Sequence, residues 1–221
     1  MGPSPFPSER SVGEGASFPP ALQAILDRLG TYPAYVIDRH WNVVAWNHMT
    51  TTLCGDLNPS SEVERNALWR TFMVEEIKKR NVNWDNAASK PLAHFRSRYA
   101  LYMNDSWYRE LVDKLKDDSE TFRQWWERHE VAGNLDGEKV IRHPDGGSLA
   151  FRYHTFKISE SPEYMMIVYT PVENTGTEEQ TRRAAERHLI EMTITRNNHT
   201  EPDCFHSGLV FLYIRLFVTL F

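Results

Sequence analysis

The chain has 221 residues, of which 41% are hydrophobic and 12% aromatic, and its formal net charge is −5. This length fits one domain with flanking segments, and the negative charge excludes an overall basic signal for nucleic acid. Seven tryptophans indicate large apolar surfaces that meet in a core, a ligand cavity or an interface. The only two cysteines, Cys54 and Cys204, lie far apart in sequence, which favours a reduced, cytoplasmic setting.

The N-terminal segment, residues 1–20, is rich in proline, serine and glycine. This composition predicts a disordered leader or linker, and the segment has no basic stretch followed by an apolar one that would make it a signal peptide. Apolar residues at helical spacing then predict a short amphipathic helix over residues 21–29, which Gly30 ends.

Residues 33–47, PAYVIDRHWNVVAWN, predict a β-hairpin. Two short runs of β-branched and aromatic residues flank a polar break at residues 38–40, as expected for two strands joined tightly. Trp41 and Trp46 lie five positions apart, so they face opposite sides of a regular strand unless a bulge intervenes. One tryptophan then serves the core and the other faces a pocket or a partner.

Helical periodicity dominates the middle of the chain. Pro91 either kinks the longest of these helices or marks its true start, and Ser119 is predicted to cap the last of them. The predicted helices cover residues 48–53, 62–74, 84–103, 107–115 and the segment that follows Ser119.

The periodicity changes to that of strands after the helices. Residues 139–142 predict a short strand, residues 144–147 a turn, and residues 149–156 a strand whose odd-numbered positions share one face. The nearly continuous apolar run at residues 164–170 predicts a strand in the centre of the sheet. We therefore predict an α+β domain over residues 21–175, with a five-stranded antiparallel sheet and helices inserted between strands 2 and 3.

The C-terminal part, residues 176–221, departs from this pattern. Residues 177–194 are charged and predict a helix, whereas residues 208–221, GLVFLYIRLFVTLF, are very apolar. Fourteen residues fall short of the about 20 that a transmembrane helix needs. Three interpretations stay open: an atypical or out-of-frame terminus, a segment that packs on the domain, and, least favoured, a membrane anchor.

The chain resembles the ligand-binding domain of MmyB-like bacterial transcription regulators, which has a PAS-like fold. Four segments carry the resemblance in the family's order: PAYVIDRHWNVVAWN, SETFRQWWERHEV, KVIRHPDGGSLAFRYHTF and MIVYTP. The resemblance implies the sensory domain of a regulator with an apolar effector, because a family member holds a fatty acid. In that family an Xre-type helix-turn-helix precedes the domain. No such motif precedes residue 21, so we expect no direct DNA contact from this chain unless a helix-turn-helix is supplied elsewhere.

An apolar effector with a carboxylate head needs a dry cavity for its tail and a few fixed donors for its head. An arginine suits the head because its planar group donates two hydrogen bonds to a carboxylate. The competing interpretations are that Asn47 caps a helix, that Arg96 is solvated and that His129 is a core or capping residue. The predicted ligand-binding residues are Trp46, Asn47, Phe95, Arg96, Tyr99, Phe122, Trp126, His129 and Tyr153.

Other chemistry has little support in the sequence. The nine histidines and two cysteines show no metal-ligand spacing, and no nucleophile elbow or glycine-rich phosphate loop occurs. We therefore predict no metal, no cofactor and no enzymatic activity. The alternative function is a PAS-like interaction module whose aromatic residues bury in a homodimer interface, and we expect a homodimer under either interpretation.

Overall fold

The computed structural model describes residues 18–55, 57, 63–128, 136–143 and 147–198, with residues 188–198 by their backbone alone. The chain divides into two units at the boundary between Ala185 and Glu186. The five strands of the described residues all lie in the first unit, and the described part of the second is helical. None of the helices in these ranges is long and apolar enough to cross a bilayer. The domain bounds of 21–175 stay a prediction.

A five-stranded antiparallel sheet forms the centre of the first unit, with the strand order β2-β1-β5-β4-β3. This confirms the predicted PAS-like α+β fold, with helices inserted between the second and third strands. β5 lies in the middle of the sheet, as its continuous apolar sequence predicts. The strands are β1 (Ala34–Ile37), β2 (Val43–Trp46), β3 (Gly137–Arg142), β4 (Ser148–Lys157) and β5 (Met165–Pro171).

Helix ends follow local capping signals. The side chains of Asn47, Asn66, Asp105 and Ser119 each accept a hydrogen bond from a backbone N–H of the first turn that follows. The cap predicted at Ser119 is thereby confirmed. The helices are α1 (Pro20–Arg28), α2 (His48–Cys54), α3 (Ala67–Met73), α4 (Glu75–Arg80), α5 (Trp84–Leu101), α6 (Ser106–Asp118), α7 (Glu120–Glu127) and α8 (Thr177–Asn198).

The two faces of the sheet pack against different helices. In β1, Ala34 and Val36 join a small cluster with Leu26 of α1, whereas Ile37 joins the main core with residues of α2, α3, α5, α6 and α7. The period of two along a strand sends alternate side chains to opposite faces. The inserted helices therefore cover one face, and α1 covers part of the other.

The prediction for the two hairpin tryptophans needs a correction. Trp41 is 4% exposed, and both Trp41 and Trp46 pack in the main core cluster. Two irregularities bring them to the same side: the β1–β2 register shifts between Val36 and Ile37, and Trp41 has a φ of 70° just before β2. The hairpin therefore contains the bulge that the sequence analysis gave as the exception to opposite facing.

The helix predicted over residues 62–74 is also divided differently. A 3-10 turn covers Val63–Arg65, and α3 begins only at Ala67. Asn66 separates the two because its Oδ1 accepts from the amides of Leu68 and Trp69, while its Nδ2 donates to the carbonyl of His40. The helix α4 that follows was not predicted.

The tip of the hairpin is held against α6. His40 Nε2 lies 2.9 Å from Asp105 Oδ2, and the His40 ring stacks on Trp107 with 4.4 Å between ring centroids. The Tyr108 hydroxyl donates to the carbonyl of Arg39. These contacts join the start of the domain to the inserted helices.

Candidate ligand cavity

Two adjoining cavities lie between the sheet and the inserted helices. Their volumes are about 80 and 90 Å³. The first extends towards Leu53 and Cys54 of α2, and the second towards Trp84 and Pro91 of α5. Seven residues line both and so form the wall between them: Tyr35, Ala67, Thr71, Ile77, Asn81, Lys139 and Tyr169.

Alternate side chains of a strand point to opposite faces of the sheet. The strand side chains of this wall lie on the face that the helices cover. In β5, Ile167 and Tyr169 join the core on the helical side, whereas Met166 and Val168 pack on the other face. In β3, Lys139 shares its face with the buried Ile141. A bridge between Asn81 and Ile141 ties the segment after α4 to this edge of the sheet.

Tyrosine side chains make one side of the cavities. The rings of Tyr35 and Tyr169 stack at a centroid distance of 6.2 Å, and Tyr153 lies 5.7 Å from Tyr169. Burial raises the pKa of all three phenols, most strongly for Tyr35 and Tyr169. They therefore stay protonated at neutral pH, and the hydroxyl groups of Tyr35 and Tyr169 hydrogen-bond to each other.

Lys139 places a cation at the wall between the cavities. Its Nζ lies 6.0 Å from the centroid of the Tyr169 ring. Burial lowers the pKa of the Lys139 ammonium, and an interaction with Cys54 opposes this shift. Among the described residues, no aspartate or glutamate lines either cavity. A desolvated cation without a carboxylate partner is a suitable receptor for an anion.

The two arginines at the first cavity contact backbone groups. Arg70 Nη1 donates to the carbonyl of Glu64 at 3.3 Å, and Arg80 Nη1 donates to the carbonyl of Leu53 at 3.1 Å. These bonds hold the ends of neighbouring segments. Lys139 is accordingly the charged group that is available to a ligand at the shared wall.

Of the predicted ligand-binding residues, the structure places Tyr153 in the lining of the second cavity. Arg96 instead donates from Nη2 to the carbonyls of Trp125 and Trp126, at 2.8 and 3.0 Å, and lies over the Trp126 ring. It joins α5 to α7 within an aromatic layer that does not line the described cavities. The same layer contains Phe95, Tyr99, Phe122 and Trp126.

Trp46 and Asn47 also lie outside the lining of both cavities. Asn47 is 3% exposed, accepts hydrogen bonds from the amides of Ala34 and Thr50, and donates to the carbonyls of Leu26 and Tyr32. The side-chain amide of Asn47 therefore makes its hydrogen bonds within the protein. His129 lies outside the described residues, and the ligand contacts of all nine residues stay predictions.

The sequence interpretation missed Tyr35, Asn81, Lys139 and Tyr169. Strand alternation identifies three of them. Tyr35, Lys139 and Tyr169 each lie two positions from a core isoleucine of the same strand, and so share its face of the sheet. These isoleucines are Ile37, Ile141 and Ile167. Asn81 has no such signal because it lies in the connection after α4. Across the described ranges, no cluster of side chains could hold a metal ion.

Comparison with known proteins identifies the family. The description "MmyB-like transcription regulator ligand binding domain" matches residues 18–185. The chain therefore belongs to this family of regulator ligand-binding domains. No curated protein matches the chain.

A similarity was also found among solved structures, to the crystal structure of the PAS domain of an HTR-like protein from Haloarcula marismortui. It has 13% sequence identity, covers 69% of this chain and 96% of that one, and has a TM-score of 0.29.

Proposed function

We propose that this member of the MmyB-like family senses an acid with an apolar tail, such as a fatty acid, in the cavities between the sheet and helices α2–α5. The observation that carries the proposal is the lining itself. It combines aliphatic and aromatic walls with one desolvated lysine, and no carboxylate of the described residues opposes that lysine. The head would pair with Lys139, and the tail would extend along the wall of α3 and α4.

The apolar tail would supply most of the affinity. Burial of each methylene contributes roughly 0.8 kcal/mol, whereas a hydrogen bond to a charged group contributes about 1.5–3 kcal/mol. A chain of ten carbons therefore gains more from its tail than from its head. The lysine would select acids over neutral molecules of the same length.

The size of the cavities indicates that binding of a long ligand would be coupled to a movement of the helices around them. Each volume is several times the roughly 10–15 Å³ that one water needs. Each is also well below the roughly 300–1,000 Å³ of a typical small-molecule pocket. A long chain would have to open the shared wall by moving α3 and α4. The ligand then favours the opened arrangement because it binds that arrangement better.

The test compares two ligands that differ in the charge of the head. The full chain is purified, extracted under denaturing conditions and analysed for bound lipids by mass spectrometry. The delipidated protein is then titrated calorimetrically with decanoic acid and with methyl decanoate. We expect decanoic acid to bind about tenfold or more tightly than the ester. Equal binding would contradict the role of Lys139, and an absence of binding by both would contradict the proposal.

The homodimer is a separate proposal, which sedimentation of the full chain at several concentrations tests. Its result does not change the expectation for the cavities.

A further inference from the structure

Two buried polar atoms at the cavities have no hydrogen-bond partner among the described residues. One is the acceptor Oδ1 of Asn81, and the other is the donor Nε1 of Trp41. Asn81 is 7% exposed and lines both cavities, whereas Trp41 is 4% exposed and lines the second. Both residues belong to the cavity lining, but the two atoms themselves have almost no accessible surface, so a ligand group would reach them only once the lining opens.

The orientation of the Asn81 amide is fixed by its other end. Nδ2 lies 2.6 Å from the carbonyl of Ile77, which only a donor can satisfy. The reversed amide would place two oxygens against each other. Oδ1 is therefore the atom without a partner, and it needs a donor.

A plain hydrocarbon tail is a poor match for this lining. It offers neither atom a hydrogen bond, and each buried polar atom that stays without one costs free energy. A hydroxyl group matches better because it both donates and accepts. It can donate to Asn81 Oδ1 next to Lys139, which lines the same wall.

From this we infer that the ligand is a hydroxylated acyl acid, whose carboxylate pairs with Lys139 and whose hydroxyl group donates to Asn81 Oδ1. This inference rests on the proposed function and narrows its ligand class. It gives Asn81 the role of a specificity residue, since the amide accepts from a hydroxyl group that a plain acid lacks.

The experiment measures the dissociation constants of decanoic, 2-hydroxydecanoic and 3-hydroxydecanoic acids by calorimetry. The proteins are the wild-type chain, Asn81→Leu and the control Asn86→Leu, a matched substitution at an exposed site outside both linings. We expect one hydroxy acid to bind the wild type about three- to tenfold more tightly than decanoic acid. The preference should be lost in Asn81→Leu and kept in Asn86→Leu.

Each other outcome overturns the inference in a distinguishable way. If the hydroxy acids bind no more tightly than decanoic acid, or if Asn81→Leu keeps the preference, the hydroxyl contact is wrong and the proposed function stands. If none of the acids binds, both are wrong. Should Asn81→Leu fail to fold, a crystal structure of the wild type with the preferred acid decides, since the hydroxyl oxygen must lie within hydrogen-bond distance of Asn81 Oδ1.

Discussion

Replacement of Lys139 by methionine should stabilise the empty protein and weaken acid binding. In the wild type, the ammonium of the half-buried Lys139 is partly desolvated and has no carboxylate partner among the described residues. An unsatisfied buried polar group costs about 1–3 kcal/mol, and a charged one costs more. The contact between Lys139 and the Tyr169 ring offsets about 0.5–1 kcal/mol of this destabilisation.

The difference favours Lys139→Met by about 1–2 kcal/mol in the absence of ligand. Methionine keeps an unbranched side chain of similar length, so it fills the space without a charge. In a domain of this size, each kcal/mol raises the melting temperature by about 2–4 °C. The affinity for decanoic acid should fall about tenfold or more because the charged hydrogen bond is lost.

The pH dependence follows from the lowered pKa of Lys139. The folded state binds this proton less tightly than the unfolded state, whose lysines have a pKa near about 10.4. The unfolded state therefore holds more protons between the two values, so the wild type gains stability as the pH rises through that window. Lys139→Met should lack this contribution.

Thermal and urea unfolding, with and without decanoic acid, measure both effects. Lys114→Met serves as the control because Lys114 pairs with Asp118 on α6, away from the cavities. A Lys139→Met protein that is less stable than the wild type when empty would refute the reasoning, since the lysine would then be a structural residue. So would a variant that binds decanoic acid as tightly as the wild type does.

Three further predictions concern the fold. Asn47→Ala should lower the free energy of unfolding by about 2–4 kcal/mol in urea, because it removes a helix cap and leaves buried backbone groups unpaired. Phe72→Ala should cost about 3–5 kcal/mol in the same assay, since Phe72 is fully buried among aromatic rings. Partial burial raises the pKa of Asp105, but hydrogen bonds from His40 and the Trp107 amide outweigh it and the net pKa is lowered. The wild type should therefore lose stability as the pH falls below about 3.9 and through the lowered pKa, whereas Asp105→Asn, which keeps the cap, should lack this loss in unfolding curves measured against pH.

Local signals in the sequence suffice for most of the fold. The hairpin strands follow from two apolar runs around a polar break, and the centre of the sheet follows from the apolar run at residues 164–170. Ser119 predicts the start of α7 because capping depends on residues within one turn. The division between the 3-10 turn and α3 depends instead on Asn66 and the distant carbonyl of His40, which no local pattern reveals.

The candidate site could be predicted only in part because it depends on contacts between distant segments. Arg96 has the right chemistry for a carboxylate, but the carbonyls it contacts come from α7, about 30 positions away. Lys139 lies in β3, where charged residues occur on both faces. The sequence of β3 therefore does not show which charged side chain points towards the helices. The pairing of β3 with β4 and the bridge to Asn81 settle that question.

The first cavity and helix α1 are connected through α2. Leu53 and Cys54, at the end of α2, line that cavity, and Asn47 caps the beginning of the same helix. Asn47 also donates to the carbonyl of Leu26 at 3.2 Å, where α1 packs on the other face of the sheet. Asn47 therefore joins a helix that lines the first cavity to the helix that covers the opposite face of the sheet. A ligand could act through this connection only by binding one arrangement of these elements better than another.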